Sequence, residues 1–306
     1  MSFMFKKNNF YLLMMIAVII VASIVMFSVN KYWYRFPGLF YFEPSFLGLS
    51  ILFYVIRLGL KLQFDLSDDV VLLKMMKEMS VYTFMIVLII FATCAIQYTP
   101  FNPIDKKILM AEHYLHLDLK ASIAWLSAQS HFKSISAIIY DSVCYQVIIF
   151  PLLVILYQRY DVMHEFYFLV LASWIIGSMV YYFFPTMGPA SVVDSPYFIE
   201  AQRATGLKFW QLHHYIQPVT EDGGMVAMPS FHVIWAWLCV YLLRPWPIMF
   251  CLLFVINSAV AVSCVLLGWH YYLDVMGSVI TMFLSHSLYY FCHRKMSFSK
   301  RSVVRT

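Results

Sequence analysis

PIMFCLLFVINSAVAVSCVLL, from Pro247 to Leu267, runs for 21 residues without one charged side chain. A helix rises about 1.5 Å per residue, so the run covers about 30 Å, the thickness of a bilayer's hydrocarbon core. It reads as a transmembrane helix. Gly268-Trp269-His270-Tyr271-Tyr272-Leu273-Asp274 follows at once and places a histidine and an aspartate at the mouth of the next apolar stretch. An answering stretch, Gly223-Gly224-Met225-Val226-Ala227-Met228-Pro229-Ser230-Phe231-His232, does the same for the apolar run before it.

Working outward, eight runs qualify as spans: 10–29, 45–63, 79–98, 135–157, 163–184, 230–243, 247–267 and 270–292. Arg57 interrupts the second, and the sixth is short. The whole chain agrees, with 62% hydrophobic and only 12% charged residues and a mean hydropathy of +0.75, where soluble domains carry about 25% charge. The fold class is therefore all-α, a polytopic membrane protein of about eight transmembrane helices. We divide it into N-terminal helices over 1–99 and a segment over 100–306 that carries the chemistry. Lys6 and Lys7 before Tyr11–Val29 suggest a signal peptide, but the run is longer than an h-region and bulky Tyr32 and Trp33 follow, so a retained first helix is expected. The six cysteines all lie inside apolar runs without CxxC spacing, so neither a disulfide framework nor a zinc site is expected, and no cofactor or metal.

Lysine and arginine set orientation. With eight spans and the N-terminus inside, thirteen of the 21 Lys and Arg fall on the inner side and eight on the outer. Both histidine stretches then face away from the cytoplasm. The net charge of +5 matches attraction to anionic head groups and asks for no nucleic-acid partner.

Between the spans, 64–78 opens with an Asp/Ser cap signal and predicts a short interfacial helix. Segment 104–130 alternates apolar and charged residues and predicts one or two amphipathic helices in the outer interface. His113 and His116 there are read as interfacial, since no third ligand stands at a suitable offset. Asp141, an acid inside a span, is expected to face a partner or a cavity. Residues 185–228 form a long polar and aromatic loop on the histidine side, read as a lid.

Pro229 suits the first turn of a helix, which puts Ser230 and His232 beside free backbone N–H groups at a positive helix end and makes Gly223 to His232 an anion pocket, with Gly224 and Ser230 on the phosphate. His270 and Asp274 at i, i+4 share one helical face. The carboxylate can fix one imidazole nitrogen and raise the basicity of the other, which makes a nucleophile toward phosphorus.

These residues resemble the type-2 phosphatidic acid phosphatases, the PAP2 superfamily, and most closely the branch that includes inositol phosphorylceramide synthases. The resemblance rests on Pro229-Ser230-Phe231-His232 and on Gly268 to Asp274, covers roughly 135–292, and extends loosely to 104–130 and to Tyr140-Asp141-Ser142 with Gln146. It implies a six-helix core and a phosphohistidine intermediate, with His270 as nucleophile, Asp274 orienting it, His232 as general acid and Ser230 on the phosphate. Two departures stand out. Ser263-Cys264 replaces the family's Ser-Arg, and Pro185-Thr186-Met187-Gly188-Pro189 stands where a lysine and an Arg-Pro pair belong. Arg203, Lys208 and Lys133 are candidate replacements on the phosphate. The expected function is a membrane lipid phosphatase or phosphotransferase acting on a lipid phosphate or polyprenyl pyrophosphate. An inositol phosphorylceramide synthase-like head-group transferase and a non-catalytic lipid-binding or transport protein on the same fold are the alternatives.

Overall fold

The structure is a computed structural model and describes residues 2–35, 45–220 and 223–303. Among the described residues there are eleven α-helices and no strand. They are α1 (Ser2–Tyr34), α2 (Ser45–Gln63), α3 (Val71–Ile96), α4 (Asp105–Tyr114), α5 (Leu119–Ser127), α6 (Ser130–Leu156), α7 (Tyr160–Phe183), α8 (Glu200–His213), α9 (Phe231–Leu242), α10 (Pro247–Leu266) and α11 (Tyr272–Val303). Seven of these, α1, α2, α3, α6, α7, α10 and α11, are long and apolar enough to cross a membrane, and α9 is a shorter apolar helix of 12 residues.

Helix α7 sits at the centre, with Leu169, Leu171 and Met163 fully buried. One continuous core joins it to α1 through Ile19, to α3 through Ala92 and to α9 through Ile234 and Leu238. Helix α2 lies at the periphery and turns Ile51, Leu52 and Val55 outward, as a lipid-facing helix should. Several polar groups inside the bundle pair across helices, since an unpaired one in hydrocarbon costs several kcal/mol. The Gln146 and Asn257 amides exchange hydrogen bonds of 2.9 and 2.8 Å, and Asn257 also donates to the Ala236 carbonyl at 2.7 Å, which ties α6, α10 and α9 together. Between α3 and α7, His164 Nε2 lies 3.1 Å from Glu78 Oε1.

At about 1.5 Å per residue, α9 covers only about 18 Å, less than a hydrocarbon core. Its C-terminal end carries an interfacial set: Tyr241 donates to Glu165 at 2.7 Å, Arg244 pairs with the same carboxylate, and Arg159 lies over Trp246. Aromatic and basic belts of this kind mark a membrane surface. The other end bears His232.

Three local expectations change. No separate helix forms over 64–78: the chain turns over 64–70, where Asp68 bridges Arg57 and Lys61 at 2.6 and 2.7 Å, and α3 runs unbroken from Val71. Nothing between 71 and 96 is Gly or Pro, so nothing stops it. Pro229 stands one residue before the α9 N-cap, Ser230, instead of inside the first turn. The 185–228 segment contains the 14-residue helix α8 and a 3-10 turn at Pro189–Ser191. The amphipathic pattern over 104–130 does become two helices, α4 and α5, with Asp118 capping the second by accepting from Ala121 N–H at 2.9 Å.

Candidate active site

The turn from α10 to α11 delivers the first histidine. Helix α10 closes with two reversed hydrogen bonds, Trp269 N–H to Cys264 C=O at 3.1 Å and Gly268 N–H to Val265 C=O at 2.9 Å. This is a Schellman ending, which needs a left-handed residue at the position of Gly268, and Gly268 has φ +83°. A Cβ there would lie 2.7 Å from the Phe198 ring and 2.9 Å from Ile123. Gly268→Ala is therefore expected to cost about 1–3 kcal/mol and to shift His270. Thermal unfolding and turnover measured together check this; a variant equal to wild type in both contradicts it.

His270 Nδ1 lies 3.2 Å from Asp274 Oδ2, and the same oxygen accepts from Tyr271 N–H at 3.0 Å. Asp274 is fully buried and His270 nearly so. With Nδ1 turned to the carboxylate, Nε2 is the nitrogen left for the cavity. His232 stands on the first turn of α9, its ring centre 6.4 Å from that of His270 and tilted by 55°. Tyr140 of α6 backs His232: the rings stack at 4.3 Å and 14°, and the phenol oxygen is 3.4 Å from Nδ1. On its other side Tyr140 stacks on Trp269 at 5.7 Å and 2°. Aromatic stacking of this kind holds a ring in place.

These groups open on a cavity of about 210 Å³ lined by Tyr140, His232, Trp269 and His270 on one side and Gly188, Gly223 and Gly224 on the other. Gly223 has φ +76°, and a Cβ there would meet Thr205 Oγ1 at 2.0 Å, so glycine is required for the chain to close over α8. Among the described residues no lysine or arginine lines the cavity.

The expected phosphate ligands are spread out. Gly224 is on the cavity wall. Ser230 is fully buried behind it, with Oγ 4.0 Å from Cys264 Sγ and its carbonyl accepting from Ser278 at 2.9 Å. Lys208 is buried in α8, its Nζ donating to the carbonyl of the wall residue Gly223 at 3.2 Å. Arg203 is exposed and donates to the Ser195 carbonyl at 3.2 Å. Lys133 Nζ lies 3.5 Å from Ser127. Asp141 is exposed, while its neighbour Tyr140 faces the histidines.

Sequence reasoning passed over the residues that brace the site from α4. The Asp105 carboxylate accepts from Met187 N–H at 3.0 Å, from Gly188 N–H at 3.1 Å and from the Tyr271 hydroxyl at 2.9 Å. Glu112 accepts from Leu273 N–H at 3.0 Å, in the first turn of α11. One short helix thus clips the proline-rich wall to the turn beside His270. The signal was present as two acids seven residues apart on an amphipathic helix, which share a face.

Burial pushes the Asp105 carboxyl up, against the lowering effect of Met187 N–H and Tyr271; burial likewise raises Glu112, against Leu273 N–H. A raised pKa means that the folded protein holds the proton more tightly than the unfolded chain. The stability so contributed is complete below the ordinary carboxylate range, about pH 4, and is lost as pH rises through the raised value. Asp105→Asn is therefore expected to show a stability deficit that narrows as pH rises through this window. Thermal midpoints of both proteins across the acidic range check it, and a deficit that widens contradicts it.

The family model described as PAP2 superfamily matches residues 106–288. No curated protein and no solved structure matches the chain.

Proposed function

Because the chain belongs to the PAP2 superfamily, whose members are phosphatases and phosphotransferases, we propose that it is a membrane lipid phosphatase or phosphotransferase working through a phosphohistidine at the non-cytoplasmic face. The observation that carries this reading is the buried pair His270–Asp274 facing His232 across one cavity. In the first step His270 Nε2 attacks phosphorus, the bond from phosphorus to the leaving oxygen breaks, and His232 gives that oxygen its proton. In the second, water or an alcohol loses its proton to His232 and attacks phosphorus, and the bond to His270 breaks. Asp274 holds the imidazole and stabilises its positive charge throughout. The substrate is a lipid phosphate or polyprenyl pyrophosphate.

A second reading, head-group transfer as in the inositol phosphorylceramide synthase branch, is favoured by Cys264 at the usual place of an arginine and by a cavity without lysine or arginine among its described lining residues. A doubly charged phosphate monoester would be poorly neutralised there, whereas a singly charged diester asks for less. The full-length protein, reconstituted and supplied with labelled phosphatidate or phosphatidylinositol, tests both. Release of free phosphate or head-group phosphate in water alone supports the phosphatase. Turnover that appears only when an alcohol acceptor is added supports the transferase. Absence of turnover on a broad panel of lipid phosphates, with the protein folded, overturns both.

A further inference from the structure

Resting on that phosphoryl-transfer reading, we propose that an apolar chamber beside the catalytic cavity holds one hydrocarbon tail of the lipid substrate. The chamber has a volume of about 240 Å³ and lies between α2, α3, α6, α7 and α9. Ile89, Ile90 and Trp235 line both the chamber and the cavity of the two histidines. The two spaces therefore adjoin at these three residues, and the proposal runs the tail of a lipid whose phosphorus is held between His232 and His270 along Trp235 into the chamber.

The chemistry of the walls suits hydrocarbon and little else. Met85, Ile86, Phe166 and Val170 supply carbon surface. The hydroxyls of Tyr82 and Tyr167 are both turned to main-chain carbonyls, those of Val147 and Glu78, so neither asks for a polar ligand. The floor is formed by buried Tyr82, Met85 and Ile89, and the rim by Ile148 on α6, which is 45% exposed. A tail can thus enter laterally from the bilayer across α6. Phe46 of α2 and the chamber's residues on α3 precede the family-matched segment 106–288, so part of this wall is supplied by the chain's own N-terminal helices. A space of about 240 Å³ takes part of one chain only, and a second chain would remain in the membrane.

The test uses single-chain lysophospholipids from butanoyl to tetradecanoyl, one set with a phosphate monoester and one with a phosphoglycerol diester, below their micelle concentrations. Each methylene that leaves water for an apolar wall is worth about fourfold in kcat/KM. The expected result is a rise of about that factor per carbon in whichever set is turned over, levelling once the chamber is full. Ile86→Trp, which fills the chamber without touching the catalytic cavity, is expected to flatten the rise and leave the butanoyl member unchanged. A flat series in the wild type, or an unaltered slope in Ile86→Trp, overturns the chamber while leaving the phosphoryl-transfer reading standing. No turnover at any length in either set overturns that reading and the chamber with it.

Discussion

His270→Ala is expected to lower kcat by about four to six decades, the loss seen when a covalent nucleophile is removed from a preorganised site. The expectation comes from position. Nδ1 is committed to Asp274 Oδ2 at 3.2 Å, the ring is nearly buried, and the cavity receives only the far edge of the imidazole. No cysteine among the described lining residues offers a substitute nucleophile. The fold should survive the change, because the α10 ending is held by main-chain bonds from Gly268, Trp269 and His270, none of which needs the imidazole. Unchanged thermal stability with lost turnover would separate chemistry from folding. A variant that keeps more than a tenth of wild-type kcat would contradict the assignment.

Asp274→Asn is expected to cost about two to four decades, by analogy with other carboxylates that hold a catalytic histidine in its working tautomer. Asp274 Oδ2 accepts both the His270 ring contact and Tyr271 N–H. An asparagine can keep those two contacts only with its oxygen on that side, and it lacks the negative charge that stabilises a positive imidazole. Tyr271 N–H and the α11 entry would be disturbed as well, so stability is expected to fall by about 1–3 kcal/mol. The distinguishing readout is kcat against KM. A residue that only positions the nucleophile should leave KM nearly unchanged, and a rise in KM alone would place Asp274 in substrate binding instead.

Much of the fold was legible because the bilayer enforces it. A run such as 247–267 has one structural solution in hydrocarbon, and the run of α10 stops where Gly268 supplies the left-handed turn. The 104–130 segment was legible for a similar reason, since its apolar positions recur at helical spacing. Helix α8 was hidden by polar residues on its buried face. Gln202, Thr205 and Lys208 point inward there together with Phe209 and Leu212, and Gln202 is held by the Leu267 carbonyl at 2.8 Å, a partner 65 residues away.

The histidines and Asp274 could be found from short-range sequence, although His270 lies in the turn before α11 and reaches Asp274 from there instead of sharing a helical face with it. The braces could not. Asp105 meets its partners 82, 83 and 166 residues along the chain, and Tyr140 meets His232 at a separation of 92. At Tyr140-Asp141 the acid drew attention as the costly group inside a span, yet one residue along a helix turns the side chain by about 100°. The aromatic ring faces the site and the carboxylate faces out.

The central claim is that phosphorus passes through His270. Rapid quenching of a single turnover with a phosphorus-labelled lipid phosphate, followed by peptide mapping, tests it most directly. The account predicts a transient, acid-labile label on the peptide containing His270 that is absent from His270→Ala and accumulates when the acceptor is withheld. Product formed at the full single-turnover rate with no label on that peptide at any time would contradict it.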